Sequence, residues 1–234
     1  MLKISAKVIA KHQNMERKYE ICGMRILLTA STKFEIEPFL ADNKDVEVLI
    51  TGVGVPATMY HLQKKLHQEK YDLVIQAGIA GTFKHNIELG EVVLVKQDTF
   101  ADIGMEEQKN FKTIFNAGFA EKDAFPFSNG WLINSNNQLQ LSLLRQAKAI
   151  TVNKVSDSML QKQQAILHFS PEIESMEGAA LHYVCLQENI PFIQIRSISN
   201  AVGERDKSNW KIKEAIHHLN QELAGIINNL LLQQ

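Results

Sequence analysis

The chain has 234 residues, of which 45% are hydrophobic and 22% charged, with a formal net charge of −1. Those values fit one globular domain large enough to bury a core without staples, and they leave no general field to attract nucleic acid or a membrane surface. No apolar run is long enough to span a bilayer, and two cysteines, Cys22 and Cys185, make no disulfide framework, which suits a reducing cytosol.

Residues 1–23 turn polar after Ala10 and carry no apolar run of the secretory kind. They are expected to be an extension, with the natural start at Met24 and residues 24–234 forming a single domain. From there strands and helices alternate. Residues 25–30 predict a short apolar strand, and a helix covers 35–40 with Ser31 or Thr32 as its cap. A second strand at 46–51 runs into Gly52-Val53-Gly54-Val55-Pro56, and a helix through Tyr60, Leu62 and Leu66 follows. A third strand at 73–77 ends at Gly78-Ile79-Ala80-Gly81, and 92–95 is a fourth. Residues 100–130 are polar, aromatic and poorly periodic, which predicts long loops with some helix. Then come a strand at 150–155, a helix at 159–168, a helix at 176–186 and a buried strand at 192–198. Residues 210–232 predict an amphipathic C-terminal helix. The alternation defines an α/β class with a largely parallel sheet covered on both faces. No internal repeat or linker divides it.

The chemistry gathers at glycine-bearing turns after strands, since ligands of α/β sheets collect at the carboxyl ends of strands. Gly52-x-Gly54 is two-thirds of a dinucleotide fingerprint with Ala57 in the third place; equally it is a tight strand-to-helix turn. Gly78-Ile79-Ala80-Gly81 offers a nearly bare backbone wall on which a flat base or sugar can lie, or a surface for close helix packing. Glu177 sits between Met176 and Gly178-Ala179-Ala180. Its carboxylate can accept a hydrogen bond from each of two adjacent hydroxyls, or simply complement a helix N-terminus. Arg196-Ser197-Ile198-Ser199-Asn200 ends the last strand with polar side chains, where Asn200 is a pocket residue or a turn residue. The eight histidines show no metal-binding spacing, and no nucleophile elbow or P-loop lysine occurs, so no metal or cofactor is expected.

In order, these four segments resemble the nucleoside phosphorylase and hydrolase superfamily over nearly the whole chain from Met24. The pattern is most similar to the futalosine hydrolases, on Gly78-Ile79-Ala80-Gly81, Ala101-Asp102-Ile103-Gly104 and Ser199-Asn200-x-Val202-Gly203-x-Arg205-Asp206 followed by Trp210. Methylthioadenosine and adenosylhomocysteine nucleosidases are the nearest alternative; they typically have Ser in place of Ile79 and Asp in place of Asn200. A purine nucleoside phosphorylase is a further one.

The resemblance implies a three-layer α/β sandwich with a mixed, largely parallel central sheet. It implies cleavage of an N-ribosyl bond by water, releasing hypoxanthine and dehypoxanthine futalosine in menaquinone biosynthesis. Carried over, Glu35 positions or activates the water and Arg196 stands near it. Met176 and Glu177 hold the ribose, while Ile79, Ala80 and Gly81 form the backbone wall. Asn200, beside Ser199, matches the base-reading position; the residues that stack on the base are expected within 152–156, where Val155 is a candidate substrate-binding residue. A homodimer or higher homo-oligomer is also implied. Phosphorolysis needs a firm phosphate site, and phosphorylases of the superfamily often have Arg just before the third-strand glycine turn, where this chain has Gln76-Ala77-Gly78. Asn200 favours hypoxanthine, whose O6 and N7 both accept, without excluding adenine. Arg205, Lys207 and Trp210 are candidates for the carboxyphenyl tail of the substrate, or members of a salt-bridged surface loop.

Overall fold

Alternate residues of the buried strands enter two different cores, and this alternation builds the layers. The computed structural model describes residues 20–21, 23–43, 46–108, 110–136 and 143–232; most of the expected N-terminal extension, residues 1–19 and Cys22, lies outside them. Along β2 (Met24–Ala30), Ile26 and Leu28 face one core while Leu27 faces the other. β4 (Leu73–Thr82) and β11 (Phe192–Ala201) alternate in the same way. The first core is closed by Ile36 and Phe39 of α1 (Lys33–Asp42) and by Leu219, Leu223, Ile226 and Leu230 of α5 (Ile212–Leu232). The second is closed by Leu62 and Leu66 of α2 (Val55–Gln68) and by Leu181, Val184 and Cys185 of α4 (Gly178–Gln187). Each fully buried aliphatic side chain contributes about 1.5–3 kcal/mol, so the sandwich rests on these two stripes. Helices on both faces of one sheet give the expected three layers.

The sheet is mixed. β3 (Glu47–Ile50), β2, β4 and β11 run parallel. β5 (Val92–Asp98) is antiparallel to β11 and parallel to β9 (Arg145–Thr151). β10 (Ile173–Ser175) is parallel to β9 and antiparallel to the end of β4. The strands β4, β11, β5, β9 and β10 therefore pair in a closed circuit, and the sheet is not open at that end. Val93, Val95, Ala147, Ala149 and Ile173 pack together there; small alanines on β9 let the strands curl.

Several boundaries differ from expectation for physical reasons. Residues 100–130 contain no helix among those described. They hold the hairpin β6 (Gly104–Glu107) and β7 (Asn110–Thr113) and then turns. Its aromatics meet ring to ring, as Phe115 does with Phe127 at 5.2 Å, and not along a helical stripe. The strand expected at 150–155 is β9, which ends at Thr151. Beyond it Asn153 N donates to Asp102 and Ser156 N donates to Glu174, so 152–156 is a loop despite its valines. After it comes α3 (Met159–Phe169), capped by Ser158. The helix at 176–186 begins only at Gly178, leaving Met176 and Glu177 at its mouth. Trp210 ends a short 3-10 turn, and α5 starts at Ile212. No described helix is long and apolar enough to cross a membrane.

Candidate active site

The carboxyl end of β4, the β10–α4 junction, the end of β11 and the start of α1 converge on one cavity of about 350 Å³. Glu35 enters it from the first turn of α1. Its Oε2 accepts from Ser31 Oγ at 2.6 Å, Thr32 N at 3.0 Å and Thr32 Oγ1 at 3.1 Å, and its Oε1 accepts from Ile79 N at 3.2 Å. Thr32 is the N-cap and Glu35 stands three residues on, so the carboxylate also closes a capping box. Four donors from three residues hold the carboxylate in place.

Glu177 enters from the β10–α4 junction, and Gly54 N donates to its Oε1 at 2.9 Å. Gly54 has φ 89°, a left-handed conformation that glycine alone adopts without strain. The Gly52-x-Gly54 turn thus spends its amide on a protein carboxylate, which argues against the dinucleotide reading. Burial pushes the Glu177 carboxyl upward; Arg196 and the Gly54 amide pull it back, and Glu35 pushes again. The small residues after Glu177 face inward, where Gly178, Ala179 and Ala180 are buried. A Cβ on Gly178 would meet Gln194 Nε2 at 2.1 Å and Asp98 Oδ2 at 2.2 Å. Their smallness serves the core and not close ligand approach.

Arg196 lies under the cavity floor and does not line it. It is 1% exposed, with Nη2 donating to Gln76 Oε1 at 2.6 Å and Nη1 standing 4.0 Å from Glu177 Oε2. At an effective dielectric near 20, charges 4 Å apart attract by about 4 kcal/mol. Desolvating the ions costs several kcal/mol each, so the Gln76 bond is needed for balance. Arg196 therefore acts on any ligand through Glu177 and the local field.

Ile79, Ala80 and Gly81 line the cavity. Met176 and Glu177 also line it, and Val155 contributes from the 152–156 loop while about half of it remains exposed. Ser199 and Asn200 close the far end. Ser199 Oγ lies 2.8 Å from Asn200 Oδ1 and 3.2 Å from Ala80 O. One hydroxyl hydrogen serves one acceptor well, and the shorter contact carries it. Asn200 Nδ2 also donates to Ala201 O at 3.0 Å. With its oxygen engaged, the amide keeps a second N–H for a ligand.

One residue escaped sequence reasoning. Glu174, on β10, lines the cavity as a third buried carboxylate. The signal was an acidic residue directly after the core residue Ile173, three before Glu177. Trp210 also lines the cavity, with Nε1 donating to Glu204 O at 3.2 Å. Arg205 does not line it; it pairs with Asp157 at 2.8 Å on the surface, which favours the salt-bridged-loop reading, and Lys207 is exposed. Among the described residues, no group of three or more His, Cys, Asp or Glu could hold a metal ion.

Residues 29–232 match the phosphorylase superfamily. A futalosine hydrolase of Thermus thermophilus is 27% identical over 190 residues, covering 80% of this chain and 81% of the relative. A 5'-methylthioadenosine/S-adenosylhomocysteine nucleosidase of Shewanella sp. strain W3-18-1 is 30% identical over 205 residues, covering 82% of each. Among solved structures, the native futalosine hydrolase of Helicobacter pylori strain 26695 superposes with a TM-score of 0.73 at 16% identity, covering 87% of this chain and 97% of that one. At that identity the likeness shows the fold. The chain belongs to the phosphorylase superfamily. Within it, the relatives matched over most of their length are hydrolases and nucleosidases by name.

Proposed function

We propose that this chain hydrolyses the N-ribosyl bond of futalosine, releasing hypoxanthine and dehypoxanthine futalosine in menaquinone biosynthesis. The chain is an N-glycosidase that cleaves nucleosides at the N-ribosyl bond with water, and the Ser199–Asn200 pair favours a particular base. That pair is the observation that carries the futalosine reading. Ser199 donates to one lone pair of the Asn200 oxygen, and Asn200 Nδ2 spends one of its two hydrogens on Ala201 O, so the amide keeps a donor for the base. Hypoxanthine presents acceptors at O6 and N7 to such an edge; adenine presents a donor beside its acceptor.

The remaining residues divide the chemistry between them. Bond cleavage builds positive charge on the ribose and negative charge on the leaving base. Glu177 accepts from the ribose hydroxyls, with Met176 packed beside the sugar, and its charge favours the cationic ring. Glu35 positions the water that attacks the anomeric carbon and takes its proton. Asn200 donates to the base as its negative charge grows. Val155 and the wall at 79–81 confine the base, and Trp210 gives the substrate tail an apolar face.

Phosphate is a poor nucleophile for this cavity. Among the described residues, no lysine or arginine lines it. The donors that could cradle an anion at Ser31, Thr32 and Ile79 already serve Glu35. Adenine release is the second reading, favoured by the 30% identity to the Shewanella nucleosidase. Incubation with futalosine in phosphate-free buffer decides. Hypoxanthine is the expected product; adenine from methylthioadenosine with futalosine untouched reverses the assignment.

A further inference from the structure

We infer that Glu174 is the residue that selects a 6-oxopurine over a 6-aminopurine, by accepting a hydrogen bond from N1–H of the base. The inference rests on the hypoxanthine reading above and assigns that reading a second recognition residue. Glu174 is 5% exposed and lines the cavity. Among the described residues no lysine or arginine pairs with it. Instead Ser156 holds both oxygens: Ser156 N donates to Oε1 at 2.9 Å and Ser156 Oγ donates to Oε2 at 2.6 Å. Those two bonds leave lone pairs on a buried carboxylate at the cavity edge, and such a group needs a further donor. Burial pushes its carboxyl upward against the Ser156 bonds, with Asp102 adding to the rise.

Its position places it beside Asn200. Glu174 pairs with Gly81 across the β10–β4 register, and a Cβ on Gly81 would stand 3.2 Å from Asn200 Nδ2. One glycine thus adjoins both polar residues, and its bareness opens the space between them. A 6-oxopurine carries O6 and N1–H side by side, an acceptor next to a donor. Asn200 supplies the donor for the O6 and N7 side, and Glu174 supplies the acceptor for N1–H. Adenine carries N6–H₂ and an unprotonated N1, the reverse pattern. Its N1 lone pair would face a carboxylate lone pair, and Ser156 N, which could have donated to N1, is spent on Glu174. Sites built around a substrate N–H reject the analogue lacking it by about 10⁴–10⁵-fold at best.

The test compares kcat/KM for futalosine and for its counterpart with adenine in place of hypoxanthine, which differ only at the base. Glu174→Gln keeps the shape. Ser156 N still requires an oxygen, so the amide NH₂ takes the place of Oε2 and turns its second hydrogen to the cavity as a donor. The expected result is wild-type preference for futalosine and a ratio at least about 100-fold lower in Glu174→Gln, through loss on futalosine and gain on the amino counterpart. A purely structural Glu174, anchoring the 152–156 loop, would lower both substrates together. Glu174→Ala repeats the test should Glu174→Gln fail to fold; removing the acceptor should lower the ratio about 10-fold or more. Wild-type preference for futalosine with an unchanged ratio in the folded variant overturns this inference alone. Wild-type preference for the amino counterpart overturns it together with the hypoxanthine reading.

Discussion

The Arg196 guanidinium occupies the space in which a side chain on Gly78 would begin. A Cβ there would stand 2.1 Å from Arg196 Nη1 and 3.0 Å from Glu35 Oε1. The backbone of β4 is stripped at this point so that a buried cation can pass beneath two carboxylates from different elements, Glu35 of α1 and Glu177 at the β10–α4 junction. Glu177 would tolerate the nearby charge of Glu35 less well without it, since Glu35 pushes the Glu177 carboxyl upward while Arg196 pulls it down.

Gly78→Ala follows from that geometry. The methyl must displace the guanidinium, which breaks the 2.6 Å bond to Gln76 or moves Nη1 from Glu177. Overpacking of this kind destabilises by about 1–3 kcal/mol. Activity should suffer more than stability, with kcat falling at least about 100-fold because both sugar-side carboxylates shift. Steady-state kinetics and thermal melting on one preparation check it; a stable variant with unchanged kcat would show that Arg196 can move without consequence.

This arrangement was only half legible in the sequence. The glycine turns, Glu177 and Asn200 stood out because small or polar residues after apolar strands break the local pattern, whereas Met176 entered only through the family resemblance. Their convergence on one cavity needed the tertiary path of β4, β10 and β11. Glu174 was hidden because a three-residue strand has no visible period. The closed strand circuit was hidden for a similar reason: it depends on which edges β10 and β9 pair with, and alternation does not encode partners. Arg196 read as a pocket residue because it ends a buried strand; nothing local revealed that Gln76, 120 positions earlier, would hold it beneath the floor.

Glu35→Gln separates the catalytic from the structural duty of that side chain. The amide oxygen can still accept from Thr32 N and preserve the capping box, which is worth about 1 kcal/mol. It cannot take a proton from water. We expect kcat to fall by about 10²–10⁴-fold while the melting temperature stays within a few degrees and KM changes little. Wild-type kcat in this variant would remove Glu35 from the reaction.

Asn200→Asp tests the donor edge. The replacement keeps the bond from Ser199 Oγ but loses the N–H₂, so an ionised carboxylate faces O6 and N7 of hypoxanthine. Turnover of futalosine should fall about 100-fold or more, whereas methylthioadenosine, whose N6 donates, should lose less. Equal losses on both substrates, read by product chromatography, would mean that Asn200 contacts the base without reading it.

Asp98 supplies a pH-dependent prediction. Burial pushes its carboxyl up to about 7 from 3.8, against the opposing pull of Thr151, Arg196, Gln194 and the Thr99 amide. Between those two values the folded protein holds a proton that the unfolded chain has released. Stability contributed by this group therefore falls as pH rises from about 4 to about 7, and the loss is complete above the folded value. Asp98 Oδ1 accepts from Thr151 Oγ1 at 3.0 Å, and that oxygen accepts from Ala179 N at 2.7 Å, so the residue tethers the start of α4 directly behind Glu177. Asp98→Asn keeps the acceptor for Thr99 N and Thr151, and Gln194 can meet the new NH₂ by turning its amide over. The variant should melt higher than wild type at pH 8, by a margin that shrinks toward pH 4, with kcat nearly unchanged. Thermal melts across that range check it. Parallel pH profiles for the two proteins would mean that Asp98 is ionised in the folded state throughout, and that the Arg196 field reaches it far more strongly than their burial implies.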